Sequence, residues 1–256
     1  MKAHKRKLAA NSSGQLLIVT ALAIAILISS TAVYIYELDM ETNNTPTQYI
    51  GNFFLALKAS TRNAVISSLV NISNGGEKTI LAANLNKLSQ LFTSIRNIGF
   101  CNLNFTLFND TQYDSGTRIS WDTNTGVSSA YVNFVLSVQG MAENVTANYA
   151  INITTATTIG GYFTKTEDDG KLVNLTCKVY NEGEPALAKN MSVFVENLGS
   201  WIPASASDNL LIVDYGDGTY AISFIVDVPS ETVHVLVKVY DMRDILVQAD
   251  AFYNES

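Results

Sequence analysis

Histidine and cysteine are the scarcest chemistry-bearing residues of this chain, two of each in 256 residues. His4 belongs to a basic N-terminal tail, which leaves His234 as the one imidazole beyond it. A zinc centre built on several histidines and a nucleophilic triad both need an imidazole held among fixed partners. No HExxH pair, nucleophile elbow or glycine-rich phosphate loop stands in the sequence to supply them. His234 interrupts the run Val233–Val239, whose odd positions are all valine while His234 and Lys238 share the other phase. That alternation predicts a surface histidine on a strand. No spacing singles out a carboxylate pair for glycoside chemistry. The sequence therefore reads as non-enzymatic and without a cofactor, an ectoenzyme being the alternative.

Cys101 and Cys177 both fall on the apolar phase of alternating segments. In an oxidising exterior they could pair, closing a loop of about 76 residues and adding ~4 kcal/mol in the chain-entropy model. Two buried free thiols are the alternative.

Basic residues are sparse beyond the N-terminus. Lys2, Lys5, Arg6 and Lys7 account for four of the 16, and all 23 acidic residues follow Tyr36. From Glu37 onward, 12 basic residues face 23 acidic ones, a net charge of about −11. Such a surface repels phosphate backbones and excludes nucleic acid as a partner.

What the chain does have is an apolar run from Leu16 to Tyr36 without a formal charge. As a helix it would be about 31 Å long, enough for a hydrocarbon core of ~30 Å. Basic residues precede the run and Glu37, Asp39 and Glu41 follow it, so the positive flank stays in the cytoplasm and the remainder lies outside. The run exceeds a secretory signal core of about 7–15 residues.

Asn-x-Ser/Thr triplets agree with an exterior location. They begin at Asn43, Asn71, Asn104, Asn109, Asn144, Asn152, Asn174, Asn190 and Asn254, nine of the 23 asparagines beyond Tyr36. Chance would give roughly four. In Asn144–Thr154 the even positions are polar or small and the odd ones Val145, Ala147, Tyr149, Ile151 and Ile153, a period-two strand whose acceptors face water. The same phase places Asn104 opposite Cys101 and Leu103, and Asn174 opposite Val173 and Leu175.

The order of patterns suggests a basic leader (1–14), a transmembrane helix (15–36) and a polar linker ending at Pro46 (37–46). Apolar residues at helical spacing over Thr47–Asn71 and Glu77–Asn97, interrupted by Asn74-Gly75-Gly76, predict a helical hairpin. Strands then alternate with turn residues to the end of the chain. A seam is expected at 161–170, between Gly160-Gly161 and Gly170, dividing an α+β domain (47–160, helical hairpin plus antiparallel sheet) from an all-β sandwich (171–256). The acidic turns Glu167-Asp168-Asp169 and Asp214/Asp217 read first as Asp-Gly turn formers, with calcium binding as the alternative.

Two stretches carry a family resemblance. Ser12-Ser13-Gly14-Gln15-Leu16-Leu17-Ile18-Val19 resembles the class III signal sequences of archaeal type IV pilin-like and flagellin-like proteins. That resemblance implies cleavage between Gly14 and Gln15 by a prepilin-type peptidase, and mature helices that pack with other copies or other pilin-like subunits. Val173–Gly183, Ala188–Val195 and the Asp214-Tyr215-Gly216-Asp217-Gly218-Thr219-Tyr220 hairpin resemble the immunoglobulin-like modules of prokaryotic surface proteins. They imply an immunoglobulin-like sandwich with a spacer or adhesive role. The expectation is a single-pass cell-surface protein, extracellular beyond residue 36 and glycosylated there, processed at Gly14/Gln15. An unprocessed, signal-anchored surface or adhesion protein is the alternative.

Overall fold

Pro46 opens the first helix, α1 (Pro46–Ser73), at the one turn where its missing N–H is no loss. The computed structural model describes residues 24, 27, 28, 31, 46–94, 100–139, 145–167, 170–206 and 209–256. They belong to two compact units, Met1–Ala56 and Leu57–Ser256. Gly14, Gln15, Asn43, Asn144 and most of the run Leu16–Tyr36 lie outside the described residues. Within that run Ile24, Leu27, Ile28 and Thr31 are helical, and the first three expose more than half of their surface. Among the described residues no helix is long and apolar enough to cross a membrane.

In the larger unit the two helices form the expected hairpin. The last turn of α1 closes through Gly75, at φ 94°, and α2 (Thr79–Ser94) returns. Leu57, Val65, Leu69 and Ile72 of α1 and Leu81 and Leu85 of α2 are buried, the i, i+3/i+4 stripe that the sequence displays. Leu91, part of the same stripe, is exposed. Polar contacts fix the seating. Asn84 Nδ2 donates to Ser68 Oγ at 3.0 Å between the helices, and Thr61 Oγ1 meets the Tyr149 hydroxyl at 3.1 Å. Ser89 Oγ of α2 donates to Leu103 O at 2.6 Å.

The β region comprises β1 (Phe100–Leu107), β2 (Thr117–Asp122), β3 (Thr125–Gln139), β4 (Val145–Lys165), β5 (Lys171–Asn181) and β6 (Glu184–Pro185). It continues with β7 (Ala188–Asn197), β8 (Ser200–Pro203), β9 (Leu211–Asp214), β10 (Thr219–Val226), β11 (Val233–Asp241) and β12 (Leu246–Tyr253). Two antiparallel sheets result. The larger runs β1-β3-β4-β5-β10-β9, with β2 on β3 and β6 on β5; the smaller runs β12-β11-β7-β8. The apolar phase of each strand turns inward: Val173, Leu175, Cys177 and Val179 of β5 face Val233, Val235, Val237 and Val239 of β11 in one core. At ~25 cal/mol per Å², burial of such branched side chains is the main stabilising term.

The seam expected at 161–170 is not a linker. β4 runs through Gly160 and Gly161 to Lys165; its Val145–Thr158 stretch pairs with β3 and its Thr155–Lys165 stretch with β5. One 21-residue strand, roughly 70 Å at ~3.3 Å per residue, therefore carries both β regions in one sheet. A Cβ on Gly161 would lie 2.3 Å from Asn174 O, so this glycine permits close approach of β4 and β5 rather than a break. Thr166 and Gly170 close the hairpin that follows, Thr166 N to Gly170 O at 2.8 Å.

Of the two readings of Cys101 and Cys177, the structure has the free thiols, both buried, and not the disulfide. Cys101 aligns through Val138 with Val145 of β4, whereas Cys177 aligns with Ile159 of the same strand, fourteen residues further on. At ~3.3 Å per residue that is roughly 46 Å, against the ~7 Å limit for bridging Cα atoms.

Candidate functional site

The outer face of the smaller sheet carries one grouping of chemistry-bearing side chains, around His234. Strand register builds it. His234 of β11 pairs with Phe252 of β12, and one step beyond Val235–Val195 it stands opposite Glu196 of β7, which pairs with Trp201 of β8. Phe252, His234, Glu196 and Trp201 thus form one transverse row across all four strands, because residues in register share a face.

The row is tightly engaged. The imidazole stacks on the Phe252 ring at 3.8 Å and 14°, and the Trp201 ring leans on its other side at 4.8 Å. Its Nδ1 meets Glu196 Oε2 at 2.5 Å and its Nε2 meets Asp250 Oδ2 at 2.8 Å. Each ring nitrogen thus faces a carboxylate oxygen at hydrogen-bonding distance, one from either neighbouring strand. Trp201 and Phe252 keep 42% and 59% of their surface exposed, so the row presents two aromatic edges with carboxylates between them. With both ring nitrogens turned to carboxylates, the imidazole has no lone pair facing solvent as a base or ligand. Among the described residues no group of three or more His, Cys, Asp or Glu is arranged to hold a metal ion.

A second polar cluster is internal. Asp241, wholly buried at the β11–β12 turn, accepts from the backbone N–H groups of Arg243 and Ile245, from Arg243 Nε at 2.7 Å and from Thr155 Oγ1 at 2.9 Å. Arg243 reaches on to Glu182 Oε1 at 2.6 Å. Burial works against the Arg243 charge, and its hydrogen bonds to Glu182 and Asp241 overcome that and hold its pKa above the ordinary value. The arrangement ties the β11–β12 turn to β4 and the β5–β6 turn; it is a clamp and offers no open position to a substrate.

The remaining sequence-derived residues are dispersed. Asn71, Asn104, Asn109, Asn152, Asn190 and Asn254 are exposed and Asn174 half-buried. Asn109 Oδ1 also accepts from Ser115 N at 2.6 Å, so a substituent there would compete with a turn. Asp214 and Asp217 act as turn formers, accepting from Gly216 N at 2.7 Å and Thr219 N at 2.9 Å. A shallow groove of about 320 Å³ lies beside them, between Lys178, Pro185, Leu187 and Asp217. Burial pushes the Cys177 thiol up to about 11, the Thr157 hydroxyl at 3.3 Å opposing this, and it raises the Cys101 thiol as well. Neither is an activated nucleophile.

Sequence reasoning placed His234 on the outer face but missed its partners. Glu196 and Asp250 are 38 and 16 residues away, and only strand pairing brings them together. Comparison with family models, with curated proteins and with solved structures finds no match to this chain.

Proposed function

We propose that the chain is a non-enzymatic, membrane-anchored cell-surface protein of pilin-like type. A prepilin-type peptidase cuts it between Gly14 and Gln15, the apolar helix remains in the membrane or in the core of a filament, and the β sheets lie outside the cell. One observation carries this reading. A basic tail, the Ser13-Gly14-Gln15 junction and an uncharged 21-residue run come in that order, ahead of a chain that holds every acidic residue and nine Asn-x-Ser/Thr triplets.

Two features of the fold agree with it. None of the seven triplet asparagines among the described residues is buried, so a bulky glycan meets no core at any of them. The strand orders β4-β5-β10-β9 and β12-β11-β7-β8 correspond to the ABED and GFCC′ sheets of an immunoglobulin-like sandwich, a fold that serves as spacer or adhesive module. The partners are then the membrane, the peptidase and further copies or related subunits. The exposed Trp201–His234–Phe252 row favours a second reading, an unprocessed anchored adhesion protein that uses this face as its binding surface.

The N-terminal residue and intact mass of the protein recovered from native membranes separate the two. A start at Gln15, cyclised or not, is expected; a start at Met1 overturns the processed-subunit reading and leaves the anchored one. Glycan mass at the triplet asparagines is expected in the same spectrum.

A further inference from the structure

Sheet edges are hazards, because their free backbone groups pair with any extended strand, and cover, charge, proline, bulges or short length usually blunt them. Two edges of this protein are covered. β1 lies under α2, whose Ser89 hydroxyl takes the Leu103 carbonyl, and β12 lies against the β2–β3 turn, where Asn124 N donates to Asp250 O at 2.7 Å. The opposite rim is short and β8 ends in Pro203, but β9 has no proline and is uncovered. There β8 ends the smaller sheet and β9 the larger one, with every residue of both strands exposed.

This rim is also where apolar surface concentrates. Among the described residues of Leu57–Ser256, 13 large hydrophobic side chains are exposed, and seven of them lie between Leu198 and Tyr215. Three of the seven, Leu211, Ile212 and Val213, make up β9 itself, so exposed apolar side chains coincide there with a free strand edge. Asp208 and Asp214 are the only charged residues of Leu198–Tyr215, which has no lysine or arginine, in a chain whose net charge is −7. Like-charged copies approach most easily through such a window.

The geometry of β9 selects the partner. Tyr215 N donates to Thr219 O of the neighbouring β10. Antiparallel strands alternate, so the backbone groups of Leu211 and Val213 also face β10, and those of Ile212 point outward. About Ile212 the strand is self-complementary. In an antiparallel pair centred there, Ile212 meets Ile212 of the second copy and Leu211 meets Val213 twice. The two Asp214 carboxylates stand about 13 Å apart, beyond a Debye length of ~10 Å. We infer that β9 pairs antiparallel with β9 of a second copy of this chain, in the register centred on Ile212, joining two large sheets into one. The pairing deepens the subunit reading above and rests on it for bringing copies together outside the cell.

Single cysteines test the register on the full-length protein in its own membranes. The two copies of residue 212 form a hydrogen-bonded pair with Cα atoms ~5.5 Å apart, within disulfide reach, whereas the two copies of residue 213 are diagonal and farther apart. Under mild oxidation Ile212→Cys is expected to give roughly tenfold more disulfide-linked dimer than Val213→Cys, and wild type, with both thiols buried, none. Adding Val213→Lys to Ile212→Cys places cations in the contact without touching the core and should return the yield to the control level. Equal yields at 212 and 213, no dimer at 212, or a yield indifferent to the lysine would each overturn the pairing. The N-terminal mass is read on the same samples. Dimer at 212 with a Met1 start keeps the pairing and loses the processed subunit; no dimer with a Gln15 start does the reverse.

Discussion

Arg243 Nε donates to the wholly buried carboxylate of Asp241 at 2.7 Å, two residues back along the same turn. The pair is not an ornament of the turn. Through Arg243 it also takes in Glu182 and the Thr154 carbonyl, so the β11–β12 turn is fixed to the long strand shared by both β regions. Removing one partner of a buried pair leaves an uncompensated charge, at a cost of about 3–5 kcal/mol. Asp241→Ala and Arg243→Leu are each expected to lower stability by that amount, read as the shift of a urea midpoint at constant slope. A loss below ~1 kcal/mol for both would show that the turn holds without its ion pair.

Tyr253 makes the opposite case. Its ring is buried in the sandwich core, and its hydroxyl has no hydrogen-bond partner among the described residues. Burial, with Cys177 and Asp250 nearby, raises the phenol well above its ordinary pKa. A buried hydroxyl without a partner costs about 1–3 kcal/mol of desolvation. Tyr253→Phe is therefore expected to be neutral or to stabilise by up to ~1 kcal/mol, and a clear loss would reveal a partner for the oxygen.

Alkaline pH should unfold the protein earlier than an average chain. Burial raises Cys177 to about 11 and also raises Cys101, Tyr149, Tyr220 and Tyr253. Each is an acid that ionises more readily when unfolded, so above the ordinary thiol value of ~8.5 the unfolded state holds fewer protons and stability falls as pH rises. The thermal midpoint is expected to be flat from neutrality to about pH 8 and to drop above pH 9. At pH 8 a thiol reagent should find no reactive cysteine in the native protein and two after denaturation.

Period-two alternation made most of the strands legible in the sequence, and helical spacing made the hairpin legible, because both patterns are local. Cys101, Leu103, Val173, Leu175 and Cys177 are buried as their phase implies. The errors arose where one signal has two physical causes. Gly160-Gly161 read as a break, whereas Gly161 marks two strands pressed together. β8, four residues ending in Pro203, is too short to show a period. The partners of His234 and the separation of Cys101 from Cys177 depend on strand order, which no local pattern encodes. The Gly14/Gln15 junction lies outside the described residues, so it stands on sequence alone.

The same ambiguity of glycine supplies a paired test. Gly126, near the start of β3, is buried where a Cβ would sit 1.9 Å from Gln248 O and 2.9 Å from Val247 Cγ2, both on β12. Neither atom is the free end of a flexible chain, so the two strands must separate to admit a methyl group. Gly126→Ala is expected to cost about 1–3 kcal/mol by overpacking and to loosen the Asn124–Asp250 contact beside it, seen as faster amide exchange at Asn124. Gly160, in contrast, has nothing within 4 Å of its Cβ position and no positive φ. There an alanine restricts only the unfolded chain, and Gly160→Ala should stabilise by about 0.4–1 kcal/mol. If Gly160→Ala destabilised as much as Gly126→Ala, β4 would need glycine there for its local conformation, and the open space beside it would not be the deciding factor.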